Sequence, residues 1–159
     1  MQEPRPIPGA KSPLFDRLQD EGIQVRQPVS ASRSLNLSAL RESVRKDLSA
    51  LLNTRCNLPE TIRVLAEGTV VAYGVINMVP MSPSSEIAQT ELAALLTDAI
   101  SRYEPRLRNV KVFIQRDRRD PLVLLGAVQA QLIFGHVMEP VYFPLAIANS
   151  GERIDVAPV

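Results

Sequence analysis

The sequence contains a single cysteine, Cys56, and a single histidine, His136. One cysteine cannot close an internal disulfide, which agrees with a reducing compartment and makes a cytoplasmic address the expectation. With no second thiol and no histidine nearby to supply a metal or a base, Cys56 reads as an ordinary thiol. A Ser-His-acid or Cys-His constellation would have to use His136, which lies in an expected turn with no motif around it. A zinc site would need ligands that the chain does not possess. The seven glycines are scattered, whereas phosphate loops and dinucleotide folds group them, so nucleotide chemistry is not expected and no cofactor is assigned.

Charge of one sign is also missing. Eighteen basic residues against seventeen acidic ones leave a net charge of +1, which gives no broad electrostatic reason to expect nucleic acid, an anionic membrane or an acidic substrate as partner. Only Lys11, Lys46 and Lys111 among the basic residues are lysines; the arginine excess modestly favours protein interfaces. No apolar run approaches ~18 residues, so no membrane insertion is expected. The opening Met-Gln-Glu-Pro-Arg-Pro does not read as a secretory signal.

What is present suits one domain. Hydrophobic residues make up 45% of the 159 positions, enough for a real core. The expected organisation is a Pro-rich N-terminal arm over 1–34, a single domain over 35–150 and a C-terminal tail over 151–159. Pro4, Pro6, Pro8, Pro13 and Pro28 favour an extended arm. Its one apolar cluster, Leu14-Phe15-Asp16-Arg17-Leu18, is spaced to present Leu14, Phe15 and Leu18 together, either on its own domain or in a groove of another subunit. The tail, ending Val156-Ala157-Pro158-Val159, either frays or adds a strand to a neighbour.

Within the domain, Leu37, Leu40, Val44, Leu48, Leu51 and Leu52 form an apolar stripe of helical period. Ser38 or Asn36 is suited to cap that helix, and Glu42 to complement its dipole. Residues 61–79 are ambiguous: Gly68 and Gly74 break any long helix, leaving one turn or short strand near 61–66 and a connector ending at Met78-Val79-Pro80. Met81 to Ser85 reads as a loop whose last serines cap a second helix, with Glu86 in its first turn. That helix carries Leu92, Leu95, Leu96, Ala99, Ile100 and Tyr103 to a corner, Tyr103-Glu104-Pro105-Arg106-Leu107. Pro105 stops it, because proline lacks an N–H and drives the preceding residue out of helical dihedrals. Three β-rich runs follow, near 109–116, 122–134 and 140–147. Arg116 to Pro121 reads as a charged hairpin tip, either a solvated loop or a partner-facing arginine patch, and Gly135 to Pro140 as the second connection. Short connections imply antiparallel pairing. The fold class is therefore α+β: two main helices packed on a small, mostly antiparallel sheet (a β-meander), with an extended N-terminal arm.

Two carboxylates across a cleft could support glycoside hydrolysis. Glu104 and Asp98 are the least implausible pair, yet they project from different helix faces, and Arg106 would hold Glu104 ionised. Read from its residues alone, Glu104 is a solvated acid at a helix end.

Two motifs carry a family resemblance. Ser43-Val44-Arg45-Lys46-Asp47-Leu48-Ser49-Ala50-Leu51-Leu52-Asn53-Thr54-Arg55 resembles the first-helix signature of the TssE family, the baseplate wedge component of the type VI secretion system. Tyr103-Glu104-Pro105-Arg106-Leu107 matches its Glu-Pro-Arg motif, and Leu14 to Leu18 is similar to its short N-terminal segment. The resemblance spans residues 14 to 148, while Ala72-Tyr73-Gly74-Val75-Ile76-Asn77 keeps only Tyr-Gly of the family's Asn-Tyr-Gly and Leu-Pro-Asp. It implies a non-enzymatic subunit, similar to the lysozyme-like wedge proteins of contractile-tailed phages. Such a subunit links TssF and TssG to the first layer of the TssB/TssC sheath, with TssK a further partner, at the cytoplasmic face of the inner membrane. Glu104 and Arg106 acquire interface roles by position, and Pro105 a rigidifying one. The alternative is a peptidoglycan-cleaving hydrolase using Glu104. A free sheet edge, expected at 140–147 or its neighbour, would let the sheath's arms add a strand.

Overall fold

The computed structural model describes residues 10–11, 34–76, 85–117, 120, 123–147 and 153–157. The Leu14-to-Leu18 cluster and the loop over 77–84 lie outside these residues. Strand β1 (Ala10–Lys11) pairs antiparallel with β2 (Ser34–Leu35), immediately before the first helix.

Helix α1 (Leu37–Asn53) follows the apolar stripe, burying Leu40, Val44, Leu48, Leu51 and Leu52. Asn36 is its cap: the Oδ1 atom accepts the Ala39 N–H at 2.8 Å and the Ser38 hydroxyl at 2.9 Å, satisfying one of the first-turn donors. Glu42 does not act on the dipole as expected. It lies beyond the first turn and is held by Arg45 at 2.6 Å.

The ambiguous stretch resolves into helix α2 (Glu60–Leu65), a 3-10 turn (Val70–Ala72) and strand β4 (Val75–Ile76). Strand β4 lies parallel to β3 (Arg55–Cys56), which places the buried Cys56 in this small ladder. Gly74 makes the pairing possible. Its φ is +113°, and a Cβ there would stand 2.6 Å from the Thr54 carbonyl oxygen, the acceptor of the Val75 N–H. Only glycine allows both the dihedral and that approach.

Helix α3 (Glu86–Tyr103) starts at Ser85, whose Oγ accepts the Ala88 N–H at 3.3 Å, with Glu86 in the first turn. Among the described residues no helix is long and apolar enough to cross a membrane. The corner then delivers β5 (Leu107–Arg116), followed by β6 (Leu124–Phe134) and β7 (Val137–Ile147). The second connection is shorter than expected: Gly135, at φ +61°, and His136 suffice, so Val137 to Glu139 already belong to β7. Glycine at positive φ suits so tight a hairpin.

The tail neither frays nor leaves the molecule in its described part. Ile154–Val156 is strand β8, antiparallel to Leu145–Ile147, completing a sheet of order β5-β6-β7-β8. Ile154 is fully buried, and α1 binds the strand's outward backbone groups. Asn53 donates to the Ile154 carbonyl at 2.8 Å and accepts the Ile154 N–H at 2.9 Å, while Arg45 donates to the Val156 carbonyl at 3.1 Å. Burying a three-residue strand with its polar groups paired is what lets so short a segment hold. The core lies between α1, α3 and one face of the sheet, around Phe143, Leu48, Leu96 and Val128.

Candidate functional site

At the corner, the Glu104 N–H closes α3 on the Ile100 carbonyl at 2.9 Å, and the Glu104 carbonyl accepts the Leu107 N–H at 3.1 Å. These bonds turn the chain around Pro105, which stands exposed. The expectation of a solvated Glu104 is overturned, because only 4% of the residue is exposed. The Glu104 carboxylate instead folds back onto the residue after the proline. Its Oε1 atom accepts the Arg106 Nε–H at 2.6 Å and the backbone N–H at 3.2 Å, and Oε2 accepts from Nη2. A buried carboxylate is tolerated because a planar guanidinium meets both of its oxygens.

Arg106 continues across to α1. Its Nη2 atom also donates to Asp47 Oδ2, and Nη1 donates to the Ser43 hydroxyl at 3.2 Å. One arginine thus ties the end of α3, the start of β5 and the middle of α1. Burial alone disfavours its charge, but the hydrogen bonds and attraction of Glu104, then of Asp47, outweigh that cost and raise its pKa above the ordinary arginine value. Asp47 is half-exposed and Arg106 partly so, so the cluster reaches the surface at this point while Glu104 lies beneath.

Tyr73, of the retained Tyr-Gly, joins the cluster. Its ring meets that of Tyr103 edge to face, centroids 5.2 Å apart. Burial pushes its phenol pKa up, and the negative charges of Asp47 and Glu104 push it in the same direction. Sequence reasoning missed Ser43, Asp47 and Tyr73 as partners of the corner. A usable signal existed for two of them, since Ser43 and Asp47 are four apart on α1 and share a face.

The pair weighed for hydrolysis does not meet across a cleft. Asp98 is held by Arg102 at 2.9 Å, and Arg102 also pairs with Glu67 beyond α2. Both oxygens of Glu104 are occupied by Arg106. Next to the corner, the segment that carries Thr69, whose carbonyl lies 3.5 Å from the Tyr103 hydroxyl, exposes a run of large apolar side chains. Leu65 is 87% exposed and Val70 90%, with Ile62 and Val71 beside them in sequence.

The family model for baseplate wedge protein gp25 matches residues 38–136, from the first turn of α1 through the hairpin between β6 and β7. The chain belongs to the gp25 baseplate wedge family. The match takes in the whole Glu104-Pro105-Arg106 corner together with Ser43, Asp47 and Tyr73. Among solved structures, the chain is similar to one described as "The baseplate complex from the type VI secretion system", with 17% identity and a TM-score of 0.49, covering 67% of this chain and 93% of that one. No curated protein matches it. In this gp25-family chain the corner is a cross-braced junction of helix, strand and helix.

Proposed function

We propose that this chain is a TssE-type, non-enzymatic subunit of the type VI secretion baseplate, at the cytoplasmic face of the inner membrane. In this reading it joins TssF and TssG to the first layer of the TssB/TssC sheath, with TssK a further neighbour. Membership of the gp25 wedge family carries the assembly role, and the first-helix signature with the Glu-Pro-Arg motif carries the type VI assignment. The domain begins at residue 35 and takes in the tail strand β8, with residues 1–34 as an arm.

Pro105 and Arg106 are the contact surface at the corner, and Glu104 fixes the Arg106 side chain from below. Leu14, Phe15 and Leu18, spaced as one apolar turn, form a second contact. The cross-brace supports this division of labour: a guanidinium held by two carboxylates is oriented before any partner arrives, so less side-chain freedom is lost on docking. A hydrolase has the opposite requirement. Its general acid must be protonated and free to reach the substrate, whereas Glu104 is covered and accepts two hydrogen bonds from the Arg106 guanidinium, one at each carboxylate oxygen, with a third from the Arg106 backbone.

The discriminating experiment is co-expression with TssF and TssG followed by purification. Replacing the pair as a unit, Glu104→Leu with Arg106→Met, avoids stranding one buried charge and should preserve a cooperative melt. The expected result is a folded variant that no longer co-purifies with the two wedge proteins. Wild-type recovery by the folded double variant contradicts the interface role of the corner.

A further inference from the structure

Helices cover one face of the main sheet. The register row Val112, Val128, Phe143 across β5, β6 and β7 is buried in the core beneath α1 and α3, and alternation turns the two neighbouring rows to the opposite face. Those rows are Lys111, Gln129, Tyr142 and Phe113, Ala127, Pro144, with Leu125 two residues beyond Ala127 on the same face. An antiparallel sheet that leaves one face to water carries polar side chains there. This face departs from that rule, since Phe113 is 53% exposed and Tyr142 48%, with Leu125 also exposed.

Two hollows on this face join into one trough. The first, of about 500 Å³, is walled by Phe113, Leu125 and Pro144 over a floor of Gly126 and Ala127. The second, of about 550 Å³, is lined by Lys111, Asn109, Gln131 and Arg41 of α1, among others. Gln129 and Tyr142 line both, so the hollows run on from each other along β6. From Leu125 to Gln131 the trough spans roughly 20 Å. Its two ends differ in chemistry: no charged side chain lines the Phe113 end, while two cations and no carboxylate line the other, among the described residues. Arg41 adds a deficit of its own, because its Nε is buried without a hydrogen-bond acceptor.

The floor decides what form an occupant takes. Strand β6 is paired with β5 on one side and β7 on the other, so it has no backbone group to offer. An extended segment laid along it would bury its own N–H and C=O groups without partners, whereas a helix arrives with its backbone already paired. A helix of about 13 residues spans the trough. The helices of a second copy fit poorly. Helices α1 and α3 bury their apolar sides in their own core, and α2, whose Ile62, Val64 and Leu65 are exposed, is six residues long, about 9 Å.

We infer that this trough docks an amphipathic helix of a partner protein, laid along β6 with its apolar side on Phe113, Leu125 and Tyr142 and with carboxylates at the end that meets Lys111 and Arg41. The inference rests on the assembly reading only for the presence of a partner protein. It adds a second surface, on residues that the Glu104–Arg106 corner does not use, and the chemistry of what that surface holds.

The test uses the full chain and three labelled peptides of about 14 residues. One is a stapled helix with leucines along one side and glutamates in its last turn; the second carries lysines in place of the glutamates; the third is the glutamate peptide, unstapled, with two central prolines that break the helix. The glutamate helix is expected to bind about tenfold more tightly than the lysine helix, the scale of two exposed ion pairs exchanged for two like-charge contacts. Lys111→Glu leaves one cation and one anion in the trough and should reduce that preference to about twofold or less. Phe113→Ser should weaken both helices at least about tenfold with an unchanged melting temperature, because the ring is half-exposed. The proline peptide should not bind. Equal affinity for the two helices, a preference that survives Lys111→Glu, undiminished binding to Phe113→Ser, binding of the proline peptide as tight as that of the helix, or no binding of any peptide overturns the inference. A concentration-dependent dimer of the wild-type chain that Phe113→Ser disrupts overturns it in favour of a second copy. Each of these failures leaves co-purification through the corner intact, so the two readings fail separately.

Discussion

Arg106→Ala is expected to lower the free energy of unfolding by about 3 kcal/mol, at the lower end of the cost of stranding one member of a buried ion pair. The reason lies in what remains. Glu104, 4% exposed, would keep only the backbone N–H of residue 106 as a donor, in surroundings where an uncompensated carboxylate is costly. Asp47 and Ser43 contribute less to the loss. Asp47 is half-exposed and regains water, as surface ion-pair partners do. For a chain of this size the loss corresponds to a fall of about 6 to 12 °C in melting temperature. In a Glu104→Leu background the same Arg106→Ala change should cost markedly less, because no buried charge is then left unpaired. Urea denaturation of the four proteins measures this coupling directly. A loss under about 1 kcal/mol for the single variant, or additivity across the cycle, contradicts the cross-brace.

Gly74→Ala is the second substitution expected to have a large effect, also about 3 kcal/mol. Two costs add at this position. The backbone has φ +113°, and a Cβ meets the Thr54 carbonyl oxygen at 2.6 Å. Relieving that clash means moving β4 off β3 and stretching the Val75 N–H to Thr54 carbonyl bond, now 2.9 Å. Because Tyr73 precedes this glycine and packs on Tyr103, the disturbance reaches the corner as well. Gly68 provides the control. It has φ +74° with nothing within 4 Å of an added Cβ, so alanine there should cost about 1 kcal/mol. Thermal melts of the two variants side by side check the comparison. Equal losses would mean that dihedral strain alone accounts for Gly74.

The elements that were legible in the sequence are those whose information is local. Leu40, Val44, Leu48 and Leu52 mark one helix by their period, Leu92, Leu96 and Ile100 another, and Pro105 marks where the second ends. Alternation along Val110, Val112 and Ile114 announces β5 in the same way. What escaped depends on partners distant in the chain. Ile154-Asp155-Val156 is too short to declare itself a strand, and its stability comes from Asn53, 101 positions away. The same holds for the carboxylate of Glu104: nothing near it in sequence says that it is buried, and the arginine that pairs with it is itself held by α1, where Asp47 and Ser43 lie 59 and 63 positions from Arg106. The Glu-Pro-Arg motif was legible as a motif, and its stiff proline gave a reason for the turn. Its role as an internal brace required the fold.

If this chain works as an assembly subunit, the tagged protein recovered from cells that assemble a contractile apparatus carries its neighbours with it. Quantitative mass spectrometry of the captured material should find wedge and sheath proteins enriched together, with the Glu104→Leu/Arg106→Met variant losing the wedge proteins. Capture of neither class, together with a peptidoglycan-cleaving activity of the purified protein that Glu104→Gln abolishes, would contradict it.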